Sequence, residues 1–287
     1  MNRHLTTALC ALSLAAAGAA LSAPQAMAAG STLRLEGLAA RVIIIPEARN
    51  TIHAEVRNSG KGGLARPQLI VNGPDITVQG DIPMSKLHDC RVHGFGHGVK
   101  FGFFRHVAEE DLPVLTVRVP MDVQIVADGA IEGEIANANA VNLTQKRCGA
   151  WKVGNVADHF EYELEGISDL SAGSAKSTTI RLEGIGDVRV RSTGSLDASL
   201  QGMGNVTVDQ VNGPVKASVQ GMGNLKILGG HATDFQASLE GMGGIRFDGV
   251  ADTVDASAEG MGDIKIAKAT GSVSKSQSGF AKVEIGQ

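Results

Sequence analysis

Through its C-terminal half the chain alternates apolar and polar positions with period two, in short runs that recur. Val206 and Val208 share one face of such a run, and Asn205 and Thr207 take the other. Just upstream, Ala198 and Leu200 alternate with Asp197, Ser199 and Gln201. Strict alternation over a few residues marks a half-buried strand; a helix would repeat its apolar positions every three or four residues. Further short strands are predicted at Thr32 to Leu35, Ala40 to Ile45, Thr51 to Arg57, Gln68 to Val71, Ile76 to Val78, Leu115 to Val119 and Val123 to Val126. Pro67, Gly73-Pro74 and Pro83 punctuate them. Residues 86–111 are expected to form a long irregular loop. A second insertion, Thr144 to His159, carries Cys148 and Trp151.

The runs belong to a repeat. Gly184-Ile-Gly186-Asp-Val-Arg-Val190 is followed by Gly202-Met-Gly204-Asn-Val-Thr-Val208, Gly221-Met-Gly223-Asn-Leu-Lys-Ile227, Gly241-Met-Gly243-Gly-Ile-Arg-Phe247 and Gly260-Met-Gly262-Asp-Ile-Lys-Ile266. Weaker copies stand at Gly166-Ile-Ser-Asp-Leu170 and Gly279-Phe-Ala-Lys-Val-Glu-Ile285. A unit of about 19 residues makes one coil, and one coil cannot bury its own apolar face. Stacking coils about 4.8 Å apart pairs each strand with its copies and creates a continuous core. Val206, Leu225, Ile245 and Ile264 should then stack inside, and Ser199, Ser218, Ser238 and Ser257 outside. The paired glycines should turn the chain and remove a Cβ that would crowd the next coil. A nucleotide-binding reading of Gly-x-Gly fails, because the third glycine and the following helix are missing and the motif recurs five times.

At these residues the sequence resembles the autotransporter-adhesin head domain family, also called the head GIN domain or DUF2807, whose mark is a repeated Gly-Ser-Gly-Asp-[Val/Ile]-x-[Val/Ile]. The resemblance covers roughly residues 130 to 287; Leu112 to Pro120 and the pair Cys90 and Cys148 also look like family sequence. It implies a right-handed β-helix and a role in adhesion, with no assigned catalytic residues. A left-handed hexapeptide helix is disfavoured because the spacing drifts from 18 through 19 and 20. Met203, Met222, Met242 and Met261 stand where the family has Ser. Pointing inward, they would fill gaps in the core. Pointing outward, they would form a thioether ridge, either a contact surface or a place for a soft metal such as Cu(I).

The N-terminus changes the cellular setting. Arg3, an apolar run from Leu5 to about Ala23, and Ala26-Met-Ala28 read as a secretory signal peptide cut after about Ala28. Cys10 makes no lipobox. The expected division is a signal peptide at 1–28, an irregular β region at 29–130 and the repeat at 131–287, continuous with one another as one elongated β-helix. Export makes Cys90 and Cys148 an even pair in an oxidising compartment, so a disulfide between them is favoured. The formal charge of -4 over 287 residues disfavours nucleic acid as a partner. No mature stretch is long and apolar enough to span a membrane.

The search for chemistry returns little. Zinc, nucleotide, serine-hydrolase and calcium-solenoid motifs are absent, as are the Asp arrangements of polygalacturonases. Glu183, Glu240 and Glu259 are expected to be solvated beside Arg189, Arg246 and Lys265. The one site-like cluster is His88, His93 and His97 with His106 further on, a weak candidate for zinc or copper in a glycine-rich loop. No catalytic or cofactor-binding residue is assigned and no cofactor is expected. The expected protein is an exported, non-enzymatic, adhesin-like interaction module located in the periplasm, at the cell surface or outside the cell. It would be monomeric, with a surface protein or glycan as partner. The alternatives are a polysaccharide-active β-helix enzyme and a periplasmic structural or metal-handling protein.

Overall fold

The computed structural model describes residues 31–57, 63–87, 90–92, 98–101 and 105–287; the expected signal peptide lies outside them. The protein is all-β, 74% strand, with parallel coils stacked into a solenoid of about nine turns. At about 4.8 Å per coil the stack is a rod roughly 40 Å long. Val206, Leu225, Ile245 and Ile264 do stack inside, and their ladder continues through Val188, Leu170 and Trp151 on one side and Val283 on the other. A second inner ladder runs Tyr162, Ile180, Ala198, Ala217, Ala237 and Ala256. The serines 199, 218, 238 and 257 are paired rung to rung as expected.

Packing makes this arrangement hold. One coil alone places Val206, Val208, Val211, Val215, Ala217 and Val219 out of water. Full burial of a valine side chain is worth about 1.5–3 kcal/mol, so stacking supplies the stability that the turns cannot. Where the interior widens, aromatic rings fill it: Phe235 and Phe247 stack with centroids 5.0 Å apart. A single buried cluster extends from Leu33 to Val283.

The coils begin earlier than the glycine repeat does. The strand Thr32–Glu47 pairs in parallel with Asp122–Ile135 on one side and with Val114–Pro120 on the other. Two antiparallel additions, His53–Arg57 on Val114–Pro120 and Gln68–Asn72 on Asp75–Gln79, cover the N-terminal edge. Covering an edge in this way blocks further strand pairing there.

Two expectations about insertions need correction. Residues 144–159 are not an insertion but part of an ordinary coil, with Cys148–Val153 paired in parallel to Ala130–Ile135 below and Ile167–Ala172 above. Trp151 fits because Gly133 beneath it is bare; a Cβ there would stand 2.1 Å from the indole. The buried amide of Gln145 donates to the carbonyls of Ala127, Gly129 and Cys148 and accepts from Trp151 Nε1 at 2.7 Å. An inward glutamine broke the alternation, and its hydrogen bonds are what permit it inside.

Residues 86–111 are not wholly irregular either. They contain a small antiparallel sheet of Arg91–Val92, Val99–Phe101 and Arg105–Val107. It joins a second buried cluster of Leu64, Ile82, Leu87, Cys90, Val99, Val107 and Leu112 over Ala39, Ala130 and Cys148. The Cys90–Cys148 disulfide ties this flap to the solenoid, with Cα atoms 5.9 Å apart.

Candidate functional site

Each coil turns at its glycine pair, and the geometry shows why. A Cβ at Gly184, Gly202, Gly221, Gly241 or Gly260 would come within 1.9–2.7 Å of a backbone carbonyl oxygen of the preceding coil. The same holds at 1.8–2.4 Å for Gly186, Gly204, Gly223, Gly243 and Gly262. Real Cβ atoms do not approach that closely, so these ten glycines are required by stacking distance. Positive φ is a reason at Gly260 alone, where φ is 106°.

Between the glycines the side chain points out. Met203, Met222, Met242 and Met261 are 45%, 53%, 55% and 61% exposed. The core-filling alternative is thereby set aside. Strand parity explains the outcome: if Val206 and Val208 face in, then Asn205 and Met203 face out. Ile167 and Ile185 precede the methionines in the same row, and Phe280 follows them. The row is held rung to rung by main-chain bonds, from the amides of Ile185, Met203, Met222, Met242, Met261 and Phe280 to the carbonyls of Gly166, Gly184, Gly202, Gly221, Gly241 and Gly260. Seven apolar side chains thus form a bare ridge along one corner of the rod. Toward the N-terminus the same row holds Ala39, Ala130 and Cys148, all buried beneath the disulfide-tied flap.

Beside the ridge runs a polar strip. Asp169, Asp187, Asn205 and Asn224 occupy successive rungs. Asp169 Oδ1 accepts the amide of Asp187 at 3.1 Å, and Asp187 Oδ1 accepts the amide and side-chain nitrogens of Asn205 at 3.2 and 2.9 Å. Asn205 Oδ1 in turn accepts Asn224 Nδ2 at 3.0 Å. Two residues further along each strand stands a second row, Arg189, Thr207, Lys226, Arg246 and Lys265. Asp169, Asp187 and Asn205 of the first row and Arg189, Thr207 and Lys226 of the second line a shallow groove of about 470 Å³ that also touches Trp151.

The cations of this strip do not pair across the turn with Glu183, Glu240 and Glu259, as the sequence suggested. Arg189 bonds Asp209 at 3.0 Å, Arg246 bonds Asp248 at 2.8 Å, and Lys265 lies near Asp263 and Glu284. These partners sit on the same or the next strand and reach each other without crossing a corner. On another face His231 Nε2 meets Asp252 Oδ1 at 2.7 Å, and this hydrogen bond holds the Asp252 carboxyl below its ordinary pKa. Deep burial pushes the Tyr162 hydroxyl pKa up.

Of the histidine cluster, His88, His93 and His97 lie outside the described residues. His106 sits on the flap strand Arg105–Val107, exposed and opposite Lys100. Among the described residues no three His, Cys, Asp or Glu side chains converge as a metal site. No helix among them is long and apolar enough to cross a membrane.

No curated protein matches this chain. A crystal structure of a "putative adhesin" from Bacteroides fragilis is similar at 13% identity, covering 89% of this chain and 92% of that one, with a TM-score of 0.43. The protein is a β-solenoid, and its residues 118–214, where the coils become regular and the glycine pairs begin, match the family model described as "Putative auto-transporter adhesin, head GIN domain".

Proposed function

We propose that the protein is an exported, non-enzymatic binding module that lays an elongated partner, a surface protein or glycan, along its coil axis. The observation that carries this is the register of the polar strip. Asn205 and Asn224 offer amides on successive rungs, and Lys226 offers a cation in the row beside them, where Arg189, Arg246 and Lys265 stand ion-paired on other rungs. A coil step of about 4.8 Å presents the same kinds of group again and again along the axis, so an elongated partner meets them over several rungs. Each contact is weak on an exposed surface, and their repetition supplies the affinity. The signal peptide expected at 1–28 and the Cys90–Cys148 disulfide support export.

The test compares antibody labelling of intact and permeabilised cells, followed by binding of surface glycans and proteins to the purified chain. Labelling of intact cells, with binding weakened by Asn205→Ala and Lys226→Ala together, supports the proposal. Signal only after permeabilisation sinks surface display. A polysaccharide-active enzyme is the competing reading, since Asp169 and Asp187 stand one coil apart in the groove. Each, however, already accepts a main-chain N–H from the next coil, which is a structural use of a carboxylate. Release of reducing ends from a bound polysaccharide would replace the binding-module reading with that one.

A further inference from the structure

We propose that Met203, Met222, Met242 and Met261 form a linear site for a soft monovalent metal ion, Cu(I) or Ag(I), held between thioether sulfurs of successive coils. Three observations converge. The four side chains occupy one row on four consecutive coils and are all half-exposed. Each is flanked by glycines, so no neighbouring side chain along the strand crowds the thioether or competes with it. The spacing also fits. A zinc–thiolate bond is about 2.3 Å, and a two-coordinate S–metal–S unit with bonds of that order spans about 4.6 Å, against a coil step of about 4.8 Å.

The residue choice favours a metal over a plain apolar contact. Ile167 and Ile185 show that the row accepts a β-branched side chain, which suits a strand better. Four successive methionines add no apolarity over isoleucine. What they add is flexible, polarisable sulfur, the ligand type that selects Cu(I) over zinc or calcium. Ile185 and Phe280 bound the run with side chains that cannot ligate. Hard donors lie only at its flanks: Glu240 and Glu259 are two residues before Met242 and Met261, where their charge offsets that of a bound cation.

The experiment uses the mature chain carrying 13C-labelled methionine methyl groups. Ag(I) is added in chloride-free buffer, and Cu(I) anaerobically against a chromogenic Cu(I) chelator. The expected result is that the four row methyl signals shift together and saturate at about two ions, two sulfurs to each, while Met121 stays unmoved. Met222→Leu with Met242→Leu, substitutions at exposed positions, should weaken Cu(I) binding by about tenfold or more. Row signals that do not move would overturn the proposal and leave the ridge an apolar contact surface. Undiminished Cu(I) affinity after all four methionines become leucine would also overturn it, placing the ligands elsewhere, as in the histidine-bearing flap.

Discussion

One row of the solenoid exists in two settings. Beneath the flap it is Ala39, Ala130 and Cys148; beyond the flap it is Ile167, Ile185, four methionines and Phe280. The backbone geometry is the same, rung on rung, but the side chains change size at the flap's boundary. Under cover the row is small because Leu87, Val99, Val107 and Leu112 must pack down onto it. In the open the side chains are large and apolar, although nothing within the described residues covers them. Size at this position therefore follows the covering layer and not the needs of the coil.

The largest expected effect comes from releasing the cover. Replacing Cys90 and Cys148 with alanine removes a cross-link spanning 58 residues, worth about 4 kcal/mol in the loop-entropy account. Hydrogen exchange should quicken at Val99 and Val107 while Leu225 and Ile245 stay protected. Equal loss at both places would break the distinction between flap and rod. Next comes a swap of residue types between the settings. Ala130→Met should cost about 1–3 kcal/mol by overpacking beneath the flap. Met203→Ala in the open should cost less than about 0.5 kcal/mol in denaturant unfolding, and a similar cost for both would show that the row is not governed by its cover.

The smallest effect concerns the uncovered half's surface charges. Asp252 is depressed in the fold by His231, so its contribution is present above the unfolded carboxyl pKa and fades as pH falls through the lowered folded value. His231→Ala should raise the Asp252 pKa toward its ordinary value in an NMR titration, with little change in melting. An unmoved Asp252 would show that this pair is not coupled in solution.

Much of the fold was legible because a translational repeat writes itself into sequence. Val206, Leu225, Ile245 and Ile264 share a position in each unit, and the glycines mark the corners. The coil at 140–164 was hidden for a physical reason. Trp151 needs a glycine one rung below it, and Gln145 is polar yet inside, so neither volume nor polarity follows the alternation there. The outward methionine row was legible in principle, since counting back from Val208 and Val206 by twos places Gly204 inside and Met203 outside. The apolar character of methionine concealed it. The neighbours Asp187, Asn205 and Lys226 follow from the 18- and 19-residue offsets, but the hollow they line was not legible, because its depth depends on side-chain packing and not on register.

The Cys90–Cys148 bond has a mechanical meaning. On the proposed reading the protein is pulled when its partner moves, and coils held edge to edge by parallel ladders can peel away in succession. The covalent bridge bypasses the 58 residues between its ends. At about 3.5 Å per extended residue, some 200 Å of chain is withheld from stretching. The strands between the two cysteines, Val114–Pro120, Asp122–Ile135 and Ala140–Gln145, are therefore locked against full extension, whereas the coils beyond Cys148 are free to lengthen under load.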